Sequence, residues 1–446
     1  MTTGFRRELH FTDFTLLVIG TIIGDGIFIL SGLGAHYLGP AQLVSWGVAG
    51  VLAALIGLAF VQCASMHPEV GGSYAYVASA FGPTAGFLAG WALYLGELAA
   101  LPVFPLAFAR YLAFFLPLDS PAAIMGAKIS LIIAVTAVNL LGVRASSRLN
   151  DVLTLAKVAS LLLVIAVGVA FAVARPSDAT HNLAPFAPLG WGGFGTATVL
   201  IFWAYAGFEL AVLPAGEVAA PRRTLPRGLL VGCAVATAVY LLTALSVVIG
   251  LRWQDAADSA RPLTDALSAM LNSLGFDNGW APGLVCLGAL LSIVGVCDAF
   301  MLALARLSYA LAASASFPPA FARLDARHAT PWVGLVFQAV LAVGASIILD
   351  IPQVLGTAVF FLGLCYAATA LSALRLVARA PERALHLPGL RVILLLAVAA
   401  GGYLAAQAPP ALVAYAAVAL TLGLLVYRWR RHAWQALAAA APSAER

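Results

Sequence analysis

Charge is what this sequence has least of. Only 10% of its 446 residues are Asp, Glu, Lys or Arg, against about 25% in an ordinary soluble domain. Too few polar groups remain to cover a globule of this size in water, so a soluble protein is excluded. The apolar–polar alternation of a membrane β-barrel is missing as well. Cysteine is scarce: Cys63, Cys233, Cys286, Cys297 and Cys365 all fall in apolar stretches, with no C-x-x-C pair, and read as small buried hydrophobes. The seven histidines show no H-E-x-x-H or similar spacing, so neither a metal nor another cofactor is expected. No G-x-x-x-x-G-K-[ST] occurs and the polar segments are too short for an ATP-binding domain, so any solute movement must run on an ion gradient or downhill. A nucleophile–base set converging at one depth is also absent, which argues against an enzyme. A channel would need a pore-lining ring, usually supplied by subunit symmetry, and nothing here suggests one. The net charge of +5 comes without a basic patch interleaved with aromatics, so no nucleic-acid partner is expected.

What is present is hydrophobicity. Apolar residues make up 62% of the chain, in runs of about 20 residues or more, the length a helix needs to cross a bilayer. Twelve spans are predicted, near 14–34, 42–65, 84–115, 122–143, 152–174, 194–217, 228–250, 281–313, 332–349, 352–377, 391–407 and 410–428. The fold class is thus an all-α polytopic membrane protein. The third and eighth spans are long enough to tilt or to extend past the bilayer. The basic N-terminus, with Arg6 and Arg7, lacks the pattern of a cleaved signal. With both termini placed in the cytoplasm, the inner loops collect Arg144, Arg148, Arg222, Arg223, Arg375, Arg379, Arg428 and Arg430. The outside keeps few basic residues, among them Lys128, Arg175, Arg252 and Arg261. That asymmetry follows the positive-inside rule for a multi-pass protein of the cell membrane.

Ionisable groups inside the spans are few: Asp25, Glu97, Lys157, Glu209 and Asp298, with Glu217 and Arg306 nearer the ends. Each costs about 2.5–3.5 kcal/mol at a helix centre, so such residues mark pathways, ion sites or interhelical hydrogen bonds. Glu97 and Asp298 lie where nothing signals a broken helix, and read first as structural. Two other places do signal a break. In "GTIIGDGIF", Gly20, Gly24 and Gly26 surround Asp25; in "FWAYAGFE", Ala206 and Gly207 follow an aromatic cluster and precede Glu209. Non-helical backbone at membrane depth is tolerated only where it lines a cavity. Paired glycine-interrupted spans at matching positions of two halves point to a secondary transporter's site. Here they are the first and sixth spans, five apart. That spacing predicts an inverted five-plus-five repeat, with 12–175 as the first five helices, 192–378 as the second five and 388–431 as the last two.

Five motifs in order then resemble the amino acid–polyamine–organocation (APC) family of transporters, of the amino acid permease type. They are Gly24-Asp25-Gly26-Ile27-Phe28 followed by Gly32; Pro68, Gly71, Gly72, Tyr74 and Tyr76; "FWAYAGFE" with Glu217, Pro221, Arg222 and Pro226; "RLSYALAASASFPPAFARLDARHATP"; and "LHLPGLRVI". The resemblance implies the leucine-transporter-type fold with discontinuous helices 1 and 6, working by alternating access. It implies a small-molecule site at Ile23, Gly24, Asp25, Gly26 and Ile27 with Phe202, Trp203, Ala204, Tyr205, Ala206 and Gly207. Free N–H groups at the first break would hold a substrate carboxylate, and the sixth-span carbonyls its ammonium. Trp203 falls where some relatives place an aromatic over the substrate, and otherwise reads as packing. Glu209, Asp298 and Phe300 are secondary candidates.

Lys157, about two turns into the fifth span, reads as the solitary lysine within a span. One reading lets it snorkel to the interface. The other, taken from the resemblance, puts its ammonium where sodium sits in sodium-driven relatives, with protons as the coupled partner. A lysine taken out of water gives up its proton more readily. Asp25 departs from the family, which usually has serine, threonine or alanine there. Either Asp25 and Lys157 form a proton-switched couple, with an amino acid on the free backbone donors, or Asp25 is the counter-ion of an amine or polyamine. A nutrient sensor built on the same fold is the remaining alternative.

Overall fold

A computed structural model describes residues 9–67, 72–141, 144–212, 218–276, 279–314, 316–325 and 327–440, without the side chains of 144–156 and 431–440. Among them there is no strand, only an isolated bridge of Leu9 with Val218. Among the described residues nine helical segments are long and apolar enough to cross a membrane. Phe11–Ile22, Trp332–Ile348 and Leu390–Ala406 are shorter apolar helices. The 17 residues of Trp332–Ile348 rise about 25 Å, near the lower limit for a span.

The chain opens with α1 (Phe11–Ile22), α2 (Gly26–Leu38) and α3 (Gln42–Met66), then α4 (Gly72–Phe81), α5 (Pro83–Ala100) and α6 (Val103–Leu112). The third span, expected unbroken over 84–115, is divided between α5 and α6. Pro102 has no N–H to donate and its ring crowds the preceding turn, so α5 stops at Ala100 and α6 restarts at Val103. From α6, the Tyr111 hydroxyl donates to the Phe28 carbonyl at 2.6 Å, which fixes α2 against it.

Next come α7 (Pro121–Leu140), α8 (Arg144–Ala174), the short α9 (Pro176–Asn182), α10 (Phe194–Phe202), α11 (Phe208–Ala211) and α12 (Pro221–Gly250). Ser120 caps α7 by accepting from the Ala123 N–H at 3.1 Å. The seventh span was expected from 228, yet its helix begins at Pro221. Proline fits the first turn, where no N–H is needed, and the preceding Ala220 turns the chain at φ 46°. Two connecting helices, α13 (Trp253–Asp258) and α14 (Pro262–Ser273), pack against α2. The chain ends with α15 (Trp280–Ala313), α16 (Trp332–Ile348), α17 (Ile351–Arg379), α18 (Leu390–Ala406) and α19 (Pro410–Ala440). Asp350 opens α17 through a reciprocal cap with Gln353, at 2.9 and 3.2 Å.

Burial separates an inner set of helices from an outer one. The two interrupted segments sit deep: Phe14, Val18, Ile27, Phe28, Phe202 and Tyr205 are fully buried. Trp46, Tyr205 and Tyr240 form an aromatic knot with ring centroids 5.1–6.3 Å apart. Large apolar residues of α16 and α19 are exposed instead, Ile348 and Tyr415 among them, as lipid-facing helices require. All five cysteines are buried and free.

Candidate functional site

The site begins where two helices stop. α1 ends at Ile22 and α2 starts at Gly26, so Ile23, Gly24 and Asp25 leave the helical path. The first N–H groups of a helix have no acceptor within it, and no side chain caps those of α2. The second interruption runs from the end of α10 at Phe202, through a tight turn at Trp203–Tyr205, to Ala206 in extended conformation and Gly207 at φ 121°. Its last carbonyls likewise lack a following helical turn.

The two interruptions touch. A methyl on Gly26 would lie 2.9 Å from the Ala204 Cα, too close for any real contact with backbone. A side chain on Gly207 would collide with the Thr21 carbonyl oxygen. Glycine at these two positions lets one broken backbone lie directly on the other. Gly24 is different: a methyl there meets its nearest atoms at 3.7 and 3.8 Å, ordinary contact. Gly20 sits inside α1 and interrupts nothing.

One hydroxyl ties both breaks together. Tyr240, fully buried on α12, donates to the carbonyls of Ile22 (2.7 Å) and Ala204 (2.9 Å), and accepts from the Gly24 N–H (3.3 Å). The sequence reading passed over Tyr240. A lone tyrosine in an apolar helix looks like packing, and only the fold brings it to two chain segments so far away in sequence. Two further buried hydroxyls work similarly: Tyr205 donates to the Trp46 carbonyl (2.8 Å) and Tyr366 to Glu209 Oε1 (3.0 Å).

The expected residues divide into groups. Ile23, Gly24, Asp25, Gly26 and Ile27 lie across the contact from Phe202, Trp203, Ala204, Tyr205, Ala206 and Gly207. Asp25 is 3% exposed, and its Oδ2 has no hydrogen-bond partner. Lys157, 5% exposed on α8, reaches back to the Gly20 carbonyl at 3.2 Å. It and Asp25 are within electrostatic reach of each other, but the ammonium's hydrogen bond goes to the α1 backbone. Lys128 also lies inside a helix, α7, with its ammonium on the Ser346 carbonyl at 2.6 Å. The chain therefore holds two helical lysines, of which only Lys157 is beside a break.

Trp203, 6% exposed, packs its ring against Phe300 at 5.9 Å, and Phe300 in turn meets Phe104 at 5.2 Å. Glu209 turns back on its own helix start, accepting from the Gly207 N–H at 3.0 Å through Oε2. Glu97 lies within its electrostatic reach. Asp298 accepts from Asn139 Nδ2 at 2.8 Å, linking α15 to α7. Pro68, Gly71 and Glu217 lie outside the described residues. Among the described residues no group of His, Cys, Asp and Glu converges to hold a metal ion.

A protein-family model described as amino acid permease matches residues 9–433. The chain is 29% identical over 349 residues to the branched-chain amino acid permease of Bacillus subtilis (strain 168), covering 74% of this chain and 72% of that protein. It is 31% identical over 356 residues to the methylthioribose transporter of the same organism, covering 76% and 74%. It is 27% identical over 411 residues to human cationic amino acid transporter 4, covering 85% of this chain and 62% of the human protein.

Proposed function

The chain belongs to the amino acid permease family of the APC transporters, and on that premise we propose that it is a secondary active transporter of amino acids, coupled to protons through Lys157. It is a multi-pass membrane protein and a transporter rather than an enzyme. The fold proposed for it has twelve spanning helices with an inverted five-plus-five repeat over 12–175 and 192–378, followed by 388–431. Both termini then lie in the cytoplasm, in agreement with the arginine-rich inner loops.

The observation that carries the proposal is the contact between the two breaks, pinned by Tyr240. The uncapped start of α2 offers N–H donors and the positive end of a helix dipole, which suit a carboxylate. The end of α10 offers carbonyls, which suit an ammonium. An amino acid carries both groups on one carbon, so two opposed breaks match it better than either alone. Trp203 closes over the bound molecule from the side where Phe300 backs it. Movement of the interrupted helices and their neighbours against the rest would open the site alternately to each side.

Lys157 supplies the coupling. Charged, it holds the Gly20 carbonyl of α1; on losing its proton it keeps a weaker hold on that helix, which links proton release to the mobility of the first break. A second reading is favoured by one observation, the buried Asp25 oxygen with no partner. A carboxylate left so is a ready counter-ion for a cationic substrate. The relatives' names include branched-chain amino acids, cationic amino acids and methylthioribose, so substrate class rests on this chain's own residues.

The test is a thermal-shift screen of purified protein against amino acids, amines and polyamines, since a ligand that binds the folded state raises its melting temperature by mass action. Stabilisation by zwitterionic amino acids supports the first reading, and by amines alone the second. Saturable counterflow of the hit in proteoliposomes separates a carrier from a sensor. Stabilisation by neither class, or no counterflow, contradicts the proposal.

A further inference from the structure

On the outer surface α5, α17 and α19 leave a groove of about 530 Å³ between them, within the size range of small-ligand sites. Its walls are apolar, with Leu88 from α5, Leu364 and Leu371 from α17, and Leu420 and Leu424 from α19.

Three arginines fall at one end of this groove. Leu364, Ala368, Leu371 and Arg375 follow one another at spacings of four, three and four, a single face of α17. Leu420, Leu424 and Arg428 repeat every four residues on α19. Arg375 lies 4.8 Å over the ring of Phe81, itself a groove residue. Arg379 donates to the Ser79 carbonyl at 3.3 Å, so both α17 arginines lean toward the same end of α4. The Phe87–Tyr427 stack, at 4.2 Å, sets the start of α5 beside the end of α19 and brings Arg428 to this end as well. Among the described residues none of the three is in an ion pair with a carboxylate. Close by, Trp429 is 75% exposed, with Arg430 4.4 Å above its ring. That pairing of aromatic and arginine marks the headgroup level of a bilayer.

We propose that this groove binds an anionic phospholipid, with an acyl chain between α5, α17 and α19 and the phosphate at Arg375, Arg379 and Arg428. Its shape and polarity match an acyl chain, and the cluster of unneutralised cations selects the headgroup. A zwitterionic lipid brings its own cation to the arginines and loses that attraction. Basic pockets between spanning helices are a known form of lipid recognition, worth roughly fivefold in affinity for each arginine near the surface.

The experiment compares retention of phosphatidylglycerol and phosphatidylcholine of identical chains by the purified full-length protein, using native mass spectrometry. The wild type should retain phosphatidylglycerol preferentially. Arg375, Arg379 and Arg428 are exposed, so their joint replacement by glutamine keeps the fold and should cut the preference by roughly a hundredfold. Ala368→Phe, which fills the groove, should lower retention of both lipids. Equal retention by the wild type, a preference that survives the triple replacement, or unchanged retention by Ala368→Phe overturns the proposal. So does a shift from dimer to monomer in Ala368→Phe, which would assign the groove to a second copy of the chain.

Discussion

Replacing Tyr240 with phenylalanine removes a single hydroxyl from the place where the two interruptions meet. The ring keeps its contacts with Trp46 and Tyr205, at 5.3 and 5.1 Å, so the loss is one of hydrogen bonding. A hydroxyl has one hydrogen to donate and lone pairs to accept with. It therefore serves the Gly24 N–H and shares its hydrogen between the Ile22 and Ala204 carbonyls. Each buried group left without its partner costs about 1–3 kcal/mol, which gives roughly 3–9 kcal/mol for the three. Water entering the break recovers part of that, leaving a net loss of about 2–3 kcal/mol. The variant should melt at a lower temperature. It should also bind substrate about ten- to a hundredfold more weakly if most of the loss is felt in the site. Thermal unfolding and equilibrium binding of the purified protein measure the two effects. A variant with wild-type melting and wild-type affinity would show that Tyr240 pins nothing.

The remaining predictions concern single groups. Gly26→Ala forces a methyl onto the Ala204 backbone, an overpacking cost of about 1–3 kcal/mol, and should abolish uptake, whereas Gly24→Ala should transport; equal activity of the two removes the contact from the account. Trp203→Ala should weaken transport and Trp203→Phe should keep part of it; normal uptake by the alanine variant makes the tryptophan a packing residue. Asp25→Asn should lower affinity for an amine at least a hundredfold, since an unpaired buried ammonium costs about 3–5 kcal/mol, while affinity for a zwitterionic amino acid survives. Affinity measurements on both substrate classes decide between the readings, and no change for either leaves Asp25 a residue of the turn alone.

Much of the site was legible because its main devices are compositional. Asp25 and Glu209 stand out in apolar spans, and Gly26 and Gly207 mark backbone that must approach another chain segment. The structure puts the interruptions within a residue or two of those marks. What the sequence hides is which segments meet. Tyr240 looks like any aromatic in α12, and its meaning lies in two carbonyls contributed by distant helices. Lys157 was conspicuous, but its acceptor is a backbone oxygen of Gly20, a partner with no sequence signature. The break at Pro102 could have been read, since proline inside a span ends a helical turn; the continuous hydrophobicity around it concealed the interruption. The connecting helices α13 and α14 escaped notice because they are short and mixed in composition.

The central claim, proton-coupled uptake of an amino acid through Lys157, is tested most directly in proteoliposomes with an imposed pH gradient and no other ion gradient. Radiolabelled substrate from the thermal-shift screen should accumulate above its external concentration in wild-type vesicles, and the accumulation should collapse when a protonophore removes the gradient. Lys157→Ala should still bind that substrate and fail to concentrate it. Wild-type uptake that stops at equal concentrations with the gradient intact, or full accumulation by Lys157→Ala, contradicts the account.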